Sequence, residues 1–257
     1  MSRVVLVTGA GGGIGGALCR RFLDVGDTVL ALDRDAALVQ PLETLPGAER
    51  LEALVADVTD AAALTQAVAT AVAARGAVDV VVANAGGAHG TTLAHTDAAL
   101  WQRDIELNLN GAYHTVEAVR RSMIERRRGA IVLIGSVNGL VALGHPAYSA
   151  AKAGLVSYTK ALAIELGQYG IRANLVCPGT VKTPAWRSRV AQHPQLFEEL
   201  KKWYPLGDVA EPEDIADAVQ FLASAQARVI TGVALPVDAG LMAGNRLMAN
   251  ELTLDPL

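Results

Sequence analysis

Seven short runs of this chain are apolar on consecutive residues, and the stretches between them are rich in alanine and leucine and of helical length. The runs are VVLVT (4–8), TVLALD (28–33), LEALVAD (51–57), VDVVVANAG (78–86), AIVLIGS (130–136), IRANLVC (171–177) and VALPVD (233–238). A strand with one wet face alternates apolar and polar residues. A run that is apolar throughout is buried on both faces, which is the condition of a parallel sheet. Parallel neighbours need crossovers, and helical segments from about Gly13 to Val25 and near 35–44, 60–75, 98–127, 148–169 and 212–224 supply them. The pattern predicts an α/β chain: a doubly wound parallel sheet of about seven strands with helices on both faces. No proline- or serine-rich linker, repeat or low-complexity tract divides it, so residues 1–257 are read as one domain. One stretch departs from the alternation. From Pro178 to Pro212 there is no strand signal, only a helix-like piece around 190–203. So long a connection in a compact domain is usually functional, and residues from about 184 to 206 are read as an insertion that closes as a lid.

Charge and cysteine usage exclude several classes. Lys and Arg total 22 against 26 Asp and Glu, a net charge of −4 with a pI near 5.7. That balance offers no basic surface for nucleic acid or an anionic membrane. Cys19 and Cys177 are too few for a disulfide framework or a zinc site, so no metal is expected and a reducing compartment fits. The first residues lead directly into VVLVTG, too short and glycine-bound for a signal sequence, and no apolar run reaches the ~18–20 residues of a membrane span. A soluble, cytoplasmic protein is expected.

The first strand-to-helix turn reads TGAGGGIG, residues 8–15, with Gly9, Gly13 and Gly15 spaced G-x-x-x-G-x-G and Gly12 and Ile14 between them. Such a turn lets the backbone approach a pyrophosphate, and the helix behind it offers free N–H groups and a positive dipole end. Asp33 ends the second run, where a carboxylate accepts from adenosine ribose hydroxyls and repels a 2′-phosphate. The turn and this carboxylate predict a Rossmann-like domain that binds NAD in preference to NADP. Arg34, next along, is the residue that would accommodate the phosphate instead.

Tyr148 and Lys152 are four residues apart, followed by the helix-forming AGLVSYTKALAIELG. On a helix that spacing stacks both side chains on one face, about 5–6 Å apart at Cβ. A free tyrosine titrates near 10, and an ammonium beside it favours the phenolate and lowers that value. Ser136, twelve residues upstream, ends the fifth apolar run and is placed to donate a hydrogen bond to a substrate oxygen.

In order and spacing these residues resemble the short-chain dehydrogenase/reductase family, and the likeness covers essentially the whole chain. TGAGGGIG resembles the family's cofactor turn, Asp57-Val58 its pair beside the adenine, and Asn84-Ala85-Gly86 its NAG motif. Asn108 falls where the family carries a catalytic asparagine, with Asn110 two residues away as a competitor. Ser136, Tyr148 and Lys152 fall on its active-site set, and Pro178-Gly179 with Val181 and Thr183 resembles its nicotinamide loop. Three departures are visible: Gly135 stands where many members have a second serine, the Ser–Tyr spacing is one residue short, and Ala239 replaces a glycine in the late ITGVALPVDAG motif. The resemblance implies that Tyr148 exchanges the substrate proton, that Lys152 tunes Tyr148 and binds the nicotinamide ribose, that Ser136 holds the substrate oxygen and that Asn108 fixes a water. It also implies a homotetramer. His89, Asn138 and His145 lie in loops that border the family's substrate cleft. They favour a small polar secondary alcohol or hemiacetal (sugar, polyol or hydroxy acid), while Trp186 and Arg187 in the insertion, with Arg189, Lys201, Lys202 and Trp203, lean toward an anionic one. The alternatives are an NADP-dependent carbonyl or 3-oxoacyl reductase and a non-catalytic nucleotide-binding regulator.

Overall fold

The computed structural model describes residues 2–254. Its strands are β1 (Val4–Thr8), β2 (Thr28–Asp33), β3 (Leu51–Val55), β4 (Val80–Ala83), β5 (Gly129–Ile134), β6 (Ile171–Pro178) and β7 (Ala234–Val237). They form one all-parallel sheet in the order β3-β2-β1-β4-β5-β6-β7. The helices are α1 (Gly13–Asp24), α2 (Ala36–Val39), α3 (Ala61–Arg75), α4 (Ala98–Ile105), α5 (Gly111–Arg126), α6 (Pro146–Leu166), α7 (Arg187–Gln192), α8 (Leu196–Leu200), α9 (Pro212–Ala223) and α10 (Arg246–Thr253).

Two cores explain why the strands are apolar on consecutive residues. Val5 and Val7 of β1 face one way, against Leu18 and Phe22 of α1 and Ile215 and Val219 of α9. Val4 and Leu6 face the other way, against Leu64 and Val68 of α3, Val116 and Met123 of α5, and Leu155 and Leu162 of α6. Each strand therefore feeds both layers through its two-residue period. The winding reverses between β1 and β4, and an open α/β sheet carries its ligand crevice beyond the strand ends at such a point.

The structure refines several expected boundaries. The segment 98–127 is not one helix: α4 and α5 are separated by a π-helical turn, Glu106–Asn110. Gly111, just after it, sits so close to Val58 that an added Cβ would lie 2.7 Å from that side chain. The fourth run is strand only over Val80–Ala83, because Asn84 turns back onto β1, its N–H donating to Thr8 Oγ1 and its Nδ2 to the carbonyls of Thr8 and Gly9. The insertion is clipped at its base by a parallel bridge between Val181 and Ala210 and contains α7 and α8. Of residues 184–206 only Tyr204 is fully buried, its hydroxyl donating to Thr180 Oγ1 at 2.7 Å. Helix α10 was not foreseen from the sequence. Among the described residues no helix is long and apolar enough to cross a membrane, and no cluster of ligands suits a metal ion.

Candidate active site

A cavity of about 1510 Å³ opens beyond the carboxyl ends of the strands, and one continuous wall joins the glycine turn to Ser136, Tyr148 and Lys152. The turn is held by its own packing. Gly9 has φ +63°, and a Cβ at Gly15 would fall 2.0 Å from the Gly9 carbonyl oxygen. A Cβ at Gly13 would strike Thr183, so β1's turn and the loop after β6 close on each other here. Gly12, the N-cap of α1, supplies no side-chain cap, and the first turn of α1 carries no acidic residue. The N–H groups of that turn and the dipole behind them thus face the cavity without a competing anion, which fits a pyrophosphate. At the β2 end the buried Asp33 carboxylate accepts from the backbone N–H of Gly11 at 3.1 Å and of Asp35 at 3.3 Å. A carboxylate has lone pairs beyond these two, so it retains the capacity to accept from a diol. Arg34 and the Asp57-Val58 pair complete that end, and Asp57 is held below its ordinary value, first by the Thr59 backbone N–H and last by the nearby Arg34 charge.

The other end is organised by β5 and α6. Pro146 at the first position starts α6, which places Tyr148 and Lys152 on one face. Lys152 Nζ lies 5.5 Å from the Tyr148 ring centroid and donates to the Ile134 carbonyl at 2.7 Å. Burial pushes the Lys152 ammonium down to about 8 and pushes the Tyr148 phenol up, a hydrogen bond with Ser136 partly offsetting the latter. This differs from the expectation of a tyrosine depressed by its lysine: desolvation of the phenol is the largest cause, and the Ser136 hydrogen bond is the one that lowers it. Ser136 Oγ also accepts the N–H of Asn138 at 3.1 Å.

Asn108 is fully buried and is not on the cavity wall. Its Oδ1 accepts the Gly87 N–H at 3.0 Å, and its Nδ2 donates to the carbonyls of Gly87 and Asp104, each at 2.8 Å. The side chain braces the loop after β4 with both its amide groups, and Oδ1 keeps a second lone pair. Asn110 Nδ2 donates to Glu106 within the same π-helical turn. His89 is also off the cavity wall. Its Nδ1 pairs with the fully buried Asp104 at 2.5 Å, corrected here from substrate contact to a clamp between the loop and α4. Arg187 is exposed and outside the cavity, whereas Trp186 and Arg189 line it. Asn138 lines it too but donates to the Gly144 carbonyl and to Ser149 Oγ, holding the loop before α6. His145 remains open: its Nδ1 pairs with the Gly90 carbonyl, its Nε2 has no protein partner among the described residues, and its ring stands edge-on to Tyr148 at 6.4 Å. The remaining expected residues, Gly9, Gly12, Gly13, Ile14, Gly15, Asn84, Ala85, Gly86, Pro178, Gly179, Val181 and Thr183, all line the cavity. Lining residues that the sequence did not single out include Leu38, Val141, Leu143, Met242, Asn245 and Arg246. Only Arg246 carried a signal, a lone cation after the last strand.

A glycine-cradled crevice at the switch point of a parallel sheet, with a buried lysine and tyrosine beside it, defines an oxidoreductase of the Rossmann type. The family profile described as enoyl-(acyl carrier protein) reductase matches residues 9–242. A solved oxidoreductase of the short-chain dehydrogenase/reductase family from Burkholderia thailandensis superposes with a TM-score of 0.94 at 59% identity, covering 99% of this chain and 98% of that one. An uncharacterized oxidoreductase of Schizosaccharomyces pombe is 44% identical over 97% of this chain and 95% of its own length. The galactitol 2-dehydrogenase (L-tagatose-forming) of Cereibacter sphaeroides is 38% identical over 91% and 92%. The chain belongs to the short-chain dehydrogenase/reductase family, whose members act on alcohol or carbonyl carbons with NAD or NADP.

Proposed function

We propose that the protein is an NAD-dependent dehydrogenase that moves hydride between the cofactor and a small polar secondary alcohol or hemiacetal. The observation that carries the reading is one cavity holding Asp33 at one end and Ser136, Tyr148 and Lys152 at the other. When bound, the nicotinamide supplies the hydride acceptor or donor, and the residues of the chain do the rest. Ser136 holds the substrate oxygen and stabilises charge that develops on it. In oxidation Tyr148 first gives up its own proton and then, as phenolate, takes that of the substrate hydroxyl; in reduction it donates as the phenol. Lys152, titrating at about 8, is poised to hold or release a proton near neutral pH, and so to relay what Tyr148 exchanges. Asn108 acts indirectly, fixing Gly87 and the loop beside the lysine. Gly86 has to be a glycine there, because a Cβ would meet Asn108 Oδ1 at 2.8 Å and Lys152 Nζ at 3.3 Å. Asp33 selects NAD by accepting from ribose hydroxyls, as it already does from Gly11 and Asp35.

NADH absorbance across sugars, polyols and hydroxy acids tests this reading. Turnover of one of them, abolished in Tyr148→Phe while NAD still binds, is the expected result. NAD binding with no turnover of any alcohol or its carbonyl would leave a nucleotide-binding regulator instead. One observation favours the NADP-dependent reductase as second reading: Arg34 lines the adenosine end and has no ion-pair partner among the described residues.

A further inference from the structure

The carboxylates of the cavity wall lie at one end, beside Arg34, while cations also line the other end. The wall's only carboxylates among the described residues are Asp33 and Asp57, both at the β2 and β3 ends. On the opposite side, where the segments after β6 and β7 meet, Arg189, Lys202 and Arg246 line the wall and no carboxylate faces them. Outside the cavity the same segment pairs two lysines and a histidine with carboxylates, whereas Arg187 has no ion pair among the described residues. Lys182 is bonded to Glu211 at 2.7 Å and bridges to Asp208, Lys201 to Glu198 at 2.8 Å, and His193 to Glu199 at 3.0 Å. Acidic partners are therefore abundant on the outer surface and missing from the cavity side. Arg246 adds an independent sign: it is the first residue of α10, where the helix dipole opposes a cation, and among the described residues no anionic side chain pairs with it. Arg189 and Lys202 are steadied without losing charge, the guanidinium 5.0 Å from the Trp186 ring centroid and the ammonium 5.2 Å from that of Trp203. A cation resting on an indole keeps its N–H donors available at the edge.

We propose that Arg189, Lys202 and Arg246 form an anion subsite for the substrate, so that the alcohol oxidised here carries an acidic group such as a carboxylate, sulfonate or phosphate. This deepens the proposed dehydrogenase reading and rests on it for where the reacting alcohol sits. It selects the hydroxy acid among the polar candidates and moves recognition from Arg187, outside the cavity, to three solvent-exposed cations that line its wall. Two arginines and a lysine from two different chain segments give a forked, multidentate cradle for an oxyanion and discriminate against a neutral isostere. The same cations are of the right charge for the cofactor's diphosphate, so the test has to separate the two anions.

Matched pairs do so: galactonate against galactitol, and β-hydroxybutyrate against its methyl ester. Each pair is measured as kcat/KM with NAD, and as binding to Tyr148→Phe with NAD present, read by tryptophan fluorescence so that no turnover is needed. The acidic member is expected to be preferred at least about tenfold in one pair or both. Arg189→Gln, Lys202→Gln and Arg246→Gln should each erode that preference by about tenfold, the strength of one charged hydrogen bond. Lys202→Arg should retain most of it, Arg187→Gln should not alter it, and NAD affinity should move less than about twofold. Preference for the neutral members, or no anion-dependent binding at all, overturns the proposal. So does a loss of NAD affinity that matches the loss of anion binding, which would assign the cations to the cofactor. Selective anion binding with no turnover in the wild type would leave the subsite standing and defeat the dehydrogenase reading alone.

Discussion

Replacing Lys152 by methionine should abolish turnover and, at neutral pH, stabilise the fold. Lys152 is 3% exposed and titrates at about 8, against 10.5 for an unperturbed lysine. At 1.36 kcal/mol per unit, that displacement makes the charged form cost the native state roughly 3 kcal/mol. Methionine is of similar length and removes the charge, but it also removes the bond to the Ile134 carbonyl, returning about 1–2 kcal/mol of the gain. A net stabilisation of about 1–2 kcal/mol remains. The sign with pH follows from the same shift. Below about 8 both native and unfolded lysine are protonated and the full penalty is present. As pH rises from about 8 toward 10.5, the native state releases its proton first and the wild type gains up to about 1.4 kcal/mol per pH unit on the variant. Cys19, pushed up to about 12 by burial, acts in both proteins and cancels in the difference; Cys177, pushed up to about 11 by burial and held back by the Lys152 charge, rises further in the variant and stays above the pH range of the assay. Tyr148, raised above 10.0, enters only beyond that value. Urea midpoints of both proteins at fixed concentration, from pH 7 to pH 10, provide the assay. A variant less stable than the wild type at pH 7, or a gap that stays constant across that range, would refute the reasoning.

Four further outcomes are expected. Asp33→Ala should narrow the gap between NAD and NADP affinities chiefly by weakening NAD, as read by cofactor fluorescence titration; a wild type that prefers NADP would mean that Arg34 governs the site. Ala239 occupies the left-handed region at φ 50°, so Ala239→Gly should stabilise by roughly 1 kcal/mol in thermal melting, and an unchanged midpoint would show the strain to be absorbed elsewhere. Residues 184–206 should exchange amide hydrogens readily in the free protein and become protected with NAD and substrate, since the segment buries only Tyr204; high protection that binding does not change would count against a lid. Light scattering should give a tetramer of the 26.7 kDa chain, because Trp101, Tyr113 and Ile164 stand exposed on α4, α5 and α6; a monomer mass would reject it.

The features legible in advance were those in which backbone geometry dictates residue type. An interior strand buried on both faces has to be apolar throughout, whereas the edge strands β3 and β7 are only partly buried; six of the strand runs lie within two residues of their observed limits, and VDVVVANAG runs three past its end. The turn after β1 has to be glycine where Gly9 takes a positive φ and Gly15 lies against the Gly9 carbonyl. Tyr148 and Lys152 share a face because a helix repeats every 3.6 residues. Other features depended on tertiary contacts that no local period records. The π turn inside 98–127 preserves an apolar helical pattern while it changes the register around Asn108. His89 reads as a free loop histidine until the fold brings it to Asp104, fifteen residues on.

The same distinction separates the two ends of the cavity. The cofactor end is built by main-chain groups and one carboxylate at strand termini, positions that the sheet fixes wherever such a fold is made. The proposed substrate end is lined by side chains from α7, the turn after α8 and the start of α10, segments that no strand aligns. Arg187 and Arg189 illustrate the consequence. They are two residues apart on a short helix, about 200° around its axis, so a reading of composition cannot tell which faces the crevice; both are solvent-exposed, and of the two only Arg189 lines the cavity. Substrate specificity in such a chain is therefore written in the facing of helix positions rather than in a motif. The lysine that completes the cavity shows the cost of the chemistry: the charge that makes Lys152 useful near neutral pH is the charge that burial penalises, and both follow from its seat under Ile134.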